Sequence, residues 1–259
     1  PITGPLADVL VAGSVAAKGA LSEMKVGNTN TAVTQAIAKV AESYGVKQIQ
    51  GVLMHQMKRY VIDGNKVVLQ REDPDHVVDE IEFEANEVYA IDIALSTGDG
   101  KPKEQDAKTT VFKRAVEKTY QLKMKASRYL YTAINKEYPS LPFSITCFED
   151  EKQSRLGVTE CVKHDLLHSY PVLFEKEGDQ VCHVKFTVLV LPSGSLRITN
   201  CLTDVVDACV TDKKVDDDCA KLIAELEALE LARAEKKAAK KKKPKKKKKK
   251  KAAAQESDE

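Results

Sequence analysis

One stretch restricts the fold of this chain more than any other. Val88-Tyr89-Ala90-Ile91-Asp92-Ile93-Ala94-Leu95 is an apolar run of strand length, stopped by Gly98-Asp99-Gly100, with one carboxylate in its middle. Its β-branched and aromatic residues predict a strand built into a core. Burying a carboxylate costs several kcal/mol unless it is paired. Asp92 therefore needs a partner, either a metal ion, a base or backbone donors. The alternating stretch Val181-Cys182-His183-Val184-Lys185-Phe186-Thr187-Val188-Leu189 reads as a second buried strand and offers one such base, Lys185.

Around these strands the pattern predicts a helix from Pro5 to about Glu23, with Gly13 and Gly19 counting against it. A second helix is capped by Thr31 and ended by Gly45. Asp63-Gly64-Asn65 reads as the turn of a hairpin between Arg59–Ile62 and Lys66–Leu69, and residues 71–87 as an acidic loop. Further on come a helix from Thr119 or Tyr120 to Glu137, a strand–helix unit from Phe143 to Leu167, and a hairpin of residues 181–191 with Leu196–Thr199. The last helix, Val215 to Lys237, bears the stripe Leu222, Leu226, Leu229; two heptads favour docking onto the body over a coiled coil.

The formal net charge of +2 over 259 residues hides a segregation. Thirteen lysines lie between Lys236 and Lys251, whereas residues 1–235 hold 28 basic and 36 acidic side chains. A lysine run broken by Pro244 repels itself and is expected to be disordered in isolation. Sign asymmetry of this kind points to an anionic partner for the tail. Residues 101–136 repeat it locally, with ten basic residues against three acidic ones.

The six cysteines lie far apart without a Cys-x-x-Cys pair, which predicts reduced thiols and an intracellular compartment. Uninterrupted apolar runs are too short to cross a bilayer, and no signal peptide is evident. A start at Pro1 without methionine reads as a truncated or processed end. There is no Gly-rich phosphate loop, no Ser/His/Asp pattern and no His-x-x-x-His pair. His55, at a polar–apolar boundary, reads by itself as a structural histidine. The residues alone stop at an intracellular α+β domain with a basic tail.

A resemblance extends this reading. Gly51-Val52-Leu53-Met54-His55-Gln56, Tyr60-Val61-Ile62-Asp63-Gly64, Glu87-Val88-Tyr89-Ala90-Ile91-Asp92 and Leu122-Lys123-Met124-Lys125-Ala126-Ser127-Arg128 resemble the proliferation-associated, ErbB-binding protein family. Phe148-Glu149-Asp150-Glu151-Lys152, Gly157-Val158-Thr159-Glu160-Cys161, Val172 to Gly178 and Lys185-Phe186-Thr187-Val188-Leu189 continue it, in order, over residues 1–200. That family is similar to type 2 methionine aminopeptidases but lacks peptidase activity.

The resemblance implies an α/β (α+β) pita-bread fold, of which this chain supplies mainly the second half. It implies pita-bread segments at 1–100 and 166–205, a basic helical insert at 101–165, a C-terminal helix at 206–239 and a disordered lysine-rich tail at 240–259. An exposed apolar face is then expected on the strand around Tyr89 to Leu95.

The aminopeptidase pattern calls for two aspartates, a histidine and two glutamates around two metal ions. The aspartates would precede Pro1. The histidine falls on His55, the first glutamate on Asp92, the second on Lys185, and a substrate-handling histidine on Asp63. A two-metal hydrolytic site needs carboxylates to hold both ions. An ammonium at 185 opposes that, so the expectation is no catalysis, no metal and no cofactor, with a metal-dependent methionine aminopeptidase, its other ligands supplied from before Pro1, as the alternative. Lys185 is expected either to pair with Asp92 or to snorkel to solvent.

Family members associate with ribosomes and pre-ribosomes near the peptide exit of the large subunit, through this insert and the nearby edge of the fold. The resemblance thus implies ribosomal RNA and large-subunit proteins as partners, receptor or nuclear regulatory proteins as an alternative, and no membrane. Localisation in cytoplasm and nucleus or nucleolus follows. Lys113, Arg114, Lys118, Lys123, Lys125 and Arg128 are the expected phosphate contacts, with Lys240, Lys241, Lys242, Lys243, Lys245 and Lys246 from the tail. A solvated helix face and a solubilising tail are the plainer readings of the same charges.

Overall fold

The structure, a computed structural model, describes residues 1–74, 76–199 and 204–242. The chain opens with helices α1 (Pro5–Glu23) and α2 (Asn30–Ser43), followed by strands β1 (Lys47–Gln48), β2 (Leu53–Met57), β3 (Val67–Leu69) and β4 (Val88–Ser96). An excursion of β5 (Lys103–Glu104), β6 (Val111–Arg114), α3 (Lys125–Glu137), β7 (Phe143–Ser144), α4 (Glu151–Lys163), β8 (Leu167–Ser169) and β9 (Leu173–Phe174) comes next. The chain then returns through β10 (Val181–Leu189) and β11 (Leu196–Arg197) to α5 (Asp204–Asp207) and α6 (Asp217–Lys242).

The main sheet runs β11-β10-β4-β2-β3, with β1 also paired to β4. β4 and β10 are antiparallel in full register, from Ser96↔Val181 to Val88↔Leu189. Their alternation sends one set of side chains inward. Tyr89, Ile91, Ile93 and Leu95 of β4 and Cys182, Val184, Phe186 and Val188 of β10 join one core with α1 and α2. The expectation of an exposed apolar face at Tyr89 to Leu95 is therefore wrong. Those four residues are 0–2% exposed, and the uncovered face carries Asp92 with half-buried Val88 and Ala90.

Small residues let α1 lie close to the sheet. Ala12, Ala16 and Ala20 are fully buried, and a β-carbon on Gly13 would lie 2.5 Å from Cys182 Sγ. The glycine that counts against a helix in sequence is thus where the helix touches β10. By length and mean hydropathy (1.2) α1 could also cross a membrane, but 56% of that window is buried inside the fold. It is a core helix. α6 packs on α1 through Leu226 and the Lys18–Glu227 pair, at 2.6 Å.

The excursion builds a second core of its own. Phe112, Leu130, Ile134, Phe143, Cys161 and Leu166 pack together, separate from the first cluster. A small sheet β7-β6-β8 backs α3 and α4, and the β5–β9 ribbon joins this module to the ends of β4 and β10.

Several elements differ from the sequence reading. Thr29, not Thr31, caps α2 by accepting from Ala32 N, because the Thr31 hydroxyl turns to Glu80. The first hairpin strand is β2, not Arg59–Ile62. Gly64 N donates to Gln56 O and a tight turn bridges Lys58 and Val61, so residues 58–66 fold back as a loop. α3 begins at Lys125 rather than Thr119 or Tyr120, because the Glu160 carboxylate takes Lys123 N (2.8 Å) and Met124 N (3.0 Å) and holds the chain extended up to that point. α6 continues as a helix to Lys242, into the segment expected to be disordered; Lys243, Lys245 and Lys246 lie outside the described residues.

Candidate functional site

The uncovered face of the sheet brings some of the expected pocket residues together. Asp92 and Lys185 are register partners on β4 and β10, and the ammonium lies 2.7 Å from Asp92 Oδ2. His183, two residues before Lys185 and so on the same face, meets Asp92 Oδ1 through Nε2. Burial pushes Asp92 up, but the hydrogen bonds and charges of His183 and Lys185 outweigh it and hold the carboxyl below its ordinary range. Residue types alone did not single out His183; its place in the alternation of Val181–Leu189 is the signal that finds it.

His55 lies on the same face, opposite Ala90 in β2, with Nδ1 3.3 Å from Gly64 O. Asp63, in the loop after β2, accepts a hydrogen bond from Lys113 of β6, which with a smaller contribution from His55 holds its carboxyl below the usual carboxylate range. These residues do not fit a two-metal centre. The one carboxylate of the pair is shared by an imidazole and an ammonium, and Lys185 puts a positive charge beside it. Among the described residues no group of three or more His, Cys, Asp or Glu side chains is set to hold a metal ion.

The basic candidates divide by their contacts. Lys113 is ion-paired to Asp63 and 17% exposed. Arg114 lies over the Tyr131 ring, donates to Tyr131 Oη and reaches Pro139 O at 3.3 Å. Arg128 donates through Nη1 to Lys123 O at 2.7 Å and Leu122 O at 3.3 Å, pinning the extended lead-in to α3. Lys118, Lys123 and Lys125 are exposed.

To the expected Lys125 and Arg128, α3 adds Tyr129, Thr132 and Lys136, which sequence reasoning missed. All five follow one helical stripe and line an open groove of about 690 Å³. The opposite face, with Ala126, Leu130 and Ile134, is buried. The groove also needs Phe148, which follows the short turn after β7, and that proximity is not visible in the sequence. Lys240, Lys241 and Lys242 lie on the final turns of α6.

No family model matches the chain. Among curated proteins it is 57% identical over 201 residues to ErbB-3 binding protein 1 of Solanum tuberosum, covering 77% of this chain and 52% of that protein. Proliferation-associated protein A of Dictyostelium discoideum is 44% identical over 197 residues, covering 76% of this chain and 51% of that protein. Curved DNA-binding protein of Schizosaccharomyces pombe is 38% identical over 241 residues, covering 92% and 62%.

The chain therefore spans about half to three-fifths of the length of these relatives. The solved structure of a thermophilic Arx1 superposes with a TM-score of 0.77 at 25% identity, over 86% of this chain and 64% of that one. The fold is that of the pita-bread proteins, as the resemblance implied. On these identities the chain belongs to the proliferation-associated, ErbB-binding protein family.

Proposed function

We propose that this chain is a non-enzymatic, ribosome- and pre-ribosome-associated RNA-binding protein on an inactivated aminopeptidase scaffold. It acts near the peptide exit of the large subunit, in ribosome maturation or translational control. One observation carries the reading. The exposed cations Lys118, Lys123, Lys125 and Lys136 sit on a module with its own core, on a body whose first 235 residues are acidic on balance. Such a patch attracts phosphates without reading bases, and the lysine run that begins on α6 adds to the same attraction. The name of the Schizosaccharomyces pombe relative, a DNA-binding protein, favours a nucleic-acid partner for this family. The absence of peptidase activity rests on Lys185 occupying the place of a ligand carboxylate.

Co-sedimentation with large ribosomal subunits across a salt series tests the proposal. Binding should fall steeply with salt and weaken on reversing Lys118, Lys123 and Lys125 together. Arg128 is left intact because it also holds Leu122 and Lys123 in place. Undiminished binding by that variant removes the insert from the reading. The name of the Solanum relative favours a second reading, an adaptor for receptor or nuclear regulatory proteins. A pull-down that survives RNase treatment selects it.

A further inference from the structure

An ion pair joins two separately packed modules. Lys113 extends from β6 of the insert to Asp63 in the loop after β2, across 50 positions of sequence. The Asp63 side is a fixed anchor. Its neighbour Gly64 is pressed on β2, donating to Gln56 O at 2.9 Å, and a β-carbon there would lie 2.5 Å from that same oxygen. The Lys113 side is rigid too, since β6 is the central strand of its sheet and Phe112 is buried beside it. The ammonium is largely withdrawn from solvent, at 17% exposure, while the carboxylate stays half open at 51%. The open side of the pair is the carboxylate's, so an incoming anion reaches Lys113 only by displacing Asp63.

We propose that Asp63 is a built-in competitor for the Lys113 cation: it latches the insert to the sheet module, and an RNA phosphate that takes Lys113 releases the latch. The competition rests on the RNA reading above; the latch itself does not. Asp63 does for the free chain what a phosphate does in the complex, neutralising Lys113 at a set position. The chain itself passes between the modules through the two-stranded β5–β9 ribbon, with Lys176 paired to Asp99 beside it, so loss of the Lys113–Asp63 pair loosens the insert at its β6 side.

Hydrogen exchange on the full chain without RNA tests the latch, using D63N, K113M and the double variant. Both single variants should raise exchange in residues 57–64 and 111–114, and the double variant should add nothing further. Unchanged exchange in 111–114 of D63N overturns the latch. A fluorescent oligouridylate at low salt tests the competition. D63N should bind roughly two- to fivefold tighter than wild type, as expected for removing one ion pair, and K113M should abolish that gain. Equal binding by wild type and D63N overturns the competition alone. No binding by either overturns the RNA reading and the competition together, and the exchange result then stands by itself.

Discussion

Lys185 and Asp92 face each other across β10 and β4, with 2.7 Å between ammonium and carboxylate, on the side of the sheet that α1 leaves uncovered. The same two strands bury Val184 and Ile93 on their other side. The pair is therefore a property of strand register, and His183 completes it from two residues upstream. On the proposed reading, it puts a positive charge where a hydrolytic scaffold would need a negative one.

The pair makes stability depend on pH in a definite direction. Despite its burial, Asp92 is held below its ordinary pKa by His183 and Lys185. A carboxyl depressed in the folded state contributes stability that is present above its unfolded pKa of about 4 and lost as pH falls through the folded value. Asp92→Asn should lower the melting temperature at pH 7, and the gap to wild type should close on acidification. Lys185→Glu should behave in the same sense, because protonation relieves the new carboxylate repulsion. A gap that is constant with pH would show that neither charge is felt.

Two glycines of α1 should respond oppositely to a side chain. At Gly13 a β-carbon meets Cys182 Sγ at 2.5 Å and Val184 Cγ2 at 3.2 Å. Gly13→Val should cost about 1–3 kcal/mol in urea unfolding, as for other overpacked cores. At Gly19 the nearest atoms are 3.8 Å away or more, ordinary contact distance. Gly19→Ala should stabilise by about 0.5–1 kcal/mol through helix propensity.

These contrasts show what the sequence could and could not reveal. Periodicity exposed α1, β4 and β10, because their burial alternates with the residue types themselves. It also placed Asp92 and Lys185 on buried strands, but that those two strands pair is seen only in the register. What it missed depends on side chains distant in sequence. Glu160 sets the start of α3 from 36 residues away, and Asp63 withdraws Lys113 from the cationic surface. Thr31 looks as good a cap as Thr29 until Glu80 is known to be beside it. The groove on α3 combines a stripe legible by helical spacing with Phe148, which only the packed module brings near.

Arg233 fixes the course of α6 and hence where the lysine run leaves the body. Its guanidinium donates to three successive carbonyls of the β10–β11 turn, with Ser193 O at 2.8 Å, Gly194 O at 2.9 Å and Ser195 O as the third. A planar fork suits three divergent acceptors, and an ammonium does not. Arg233→Ala should destabilise by about 1–2 kcal/mol and raise exchange over the second half of α6, with Arg233→Lys recovering only part. Full recovery by lysine would mean that charge, not fork geometry, holds the helix.

Glu160 should be the pH-sensitive joint of the insert. Its two oxygens take the Lys123 and Met124 amides at the head of α3, and the Lys123 bond is the main reason its carboxyl lies below the ordinary glutamate range. A depressed carboxyl gives its stabilisation above the unfolded pKa and loses it as pH falls through the folded one. Acidification should thus open residues 122–128 to hydrogen exchange, a response separate from that of β4 and β10 through Asp92, since the two cores are distinct clusters. Glu160→Gln keeps one good acceptor and loses the charge, so those amides should exchange faster at pH 7 and change little with acid. An acid response of equal size in Glu160→Gln would assign the joint to another group. The cationic stripe on α3 depends on this cap, because Lys125 is the first residue of the helix that the carboxylate starts.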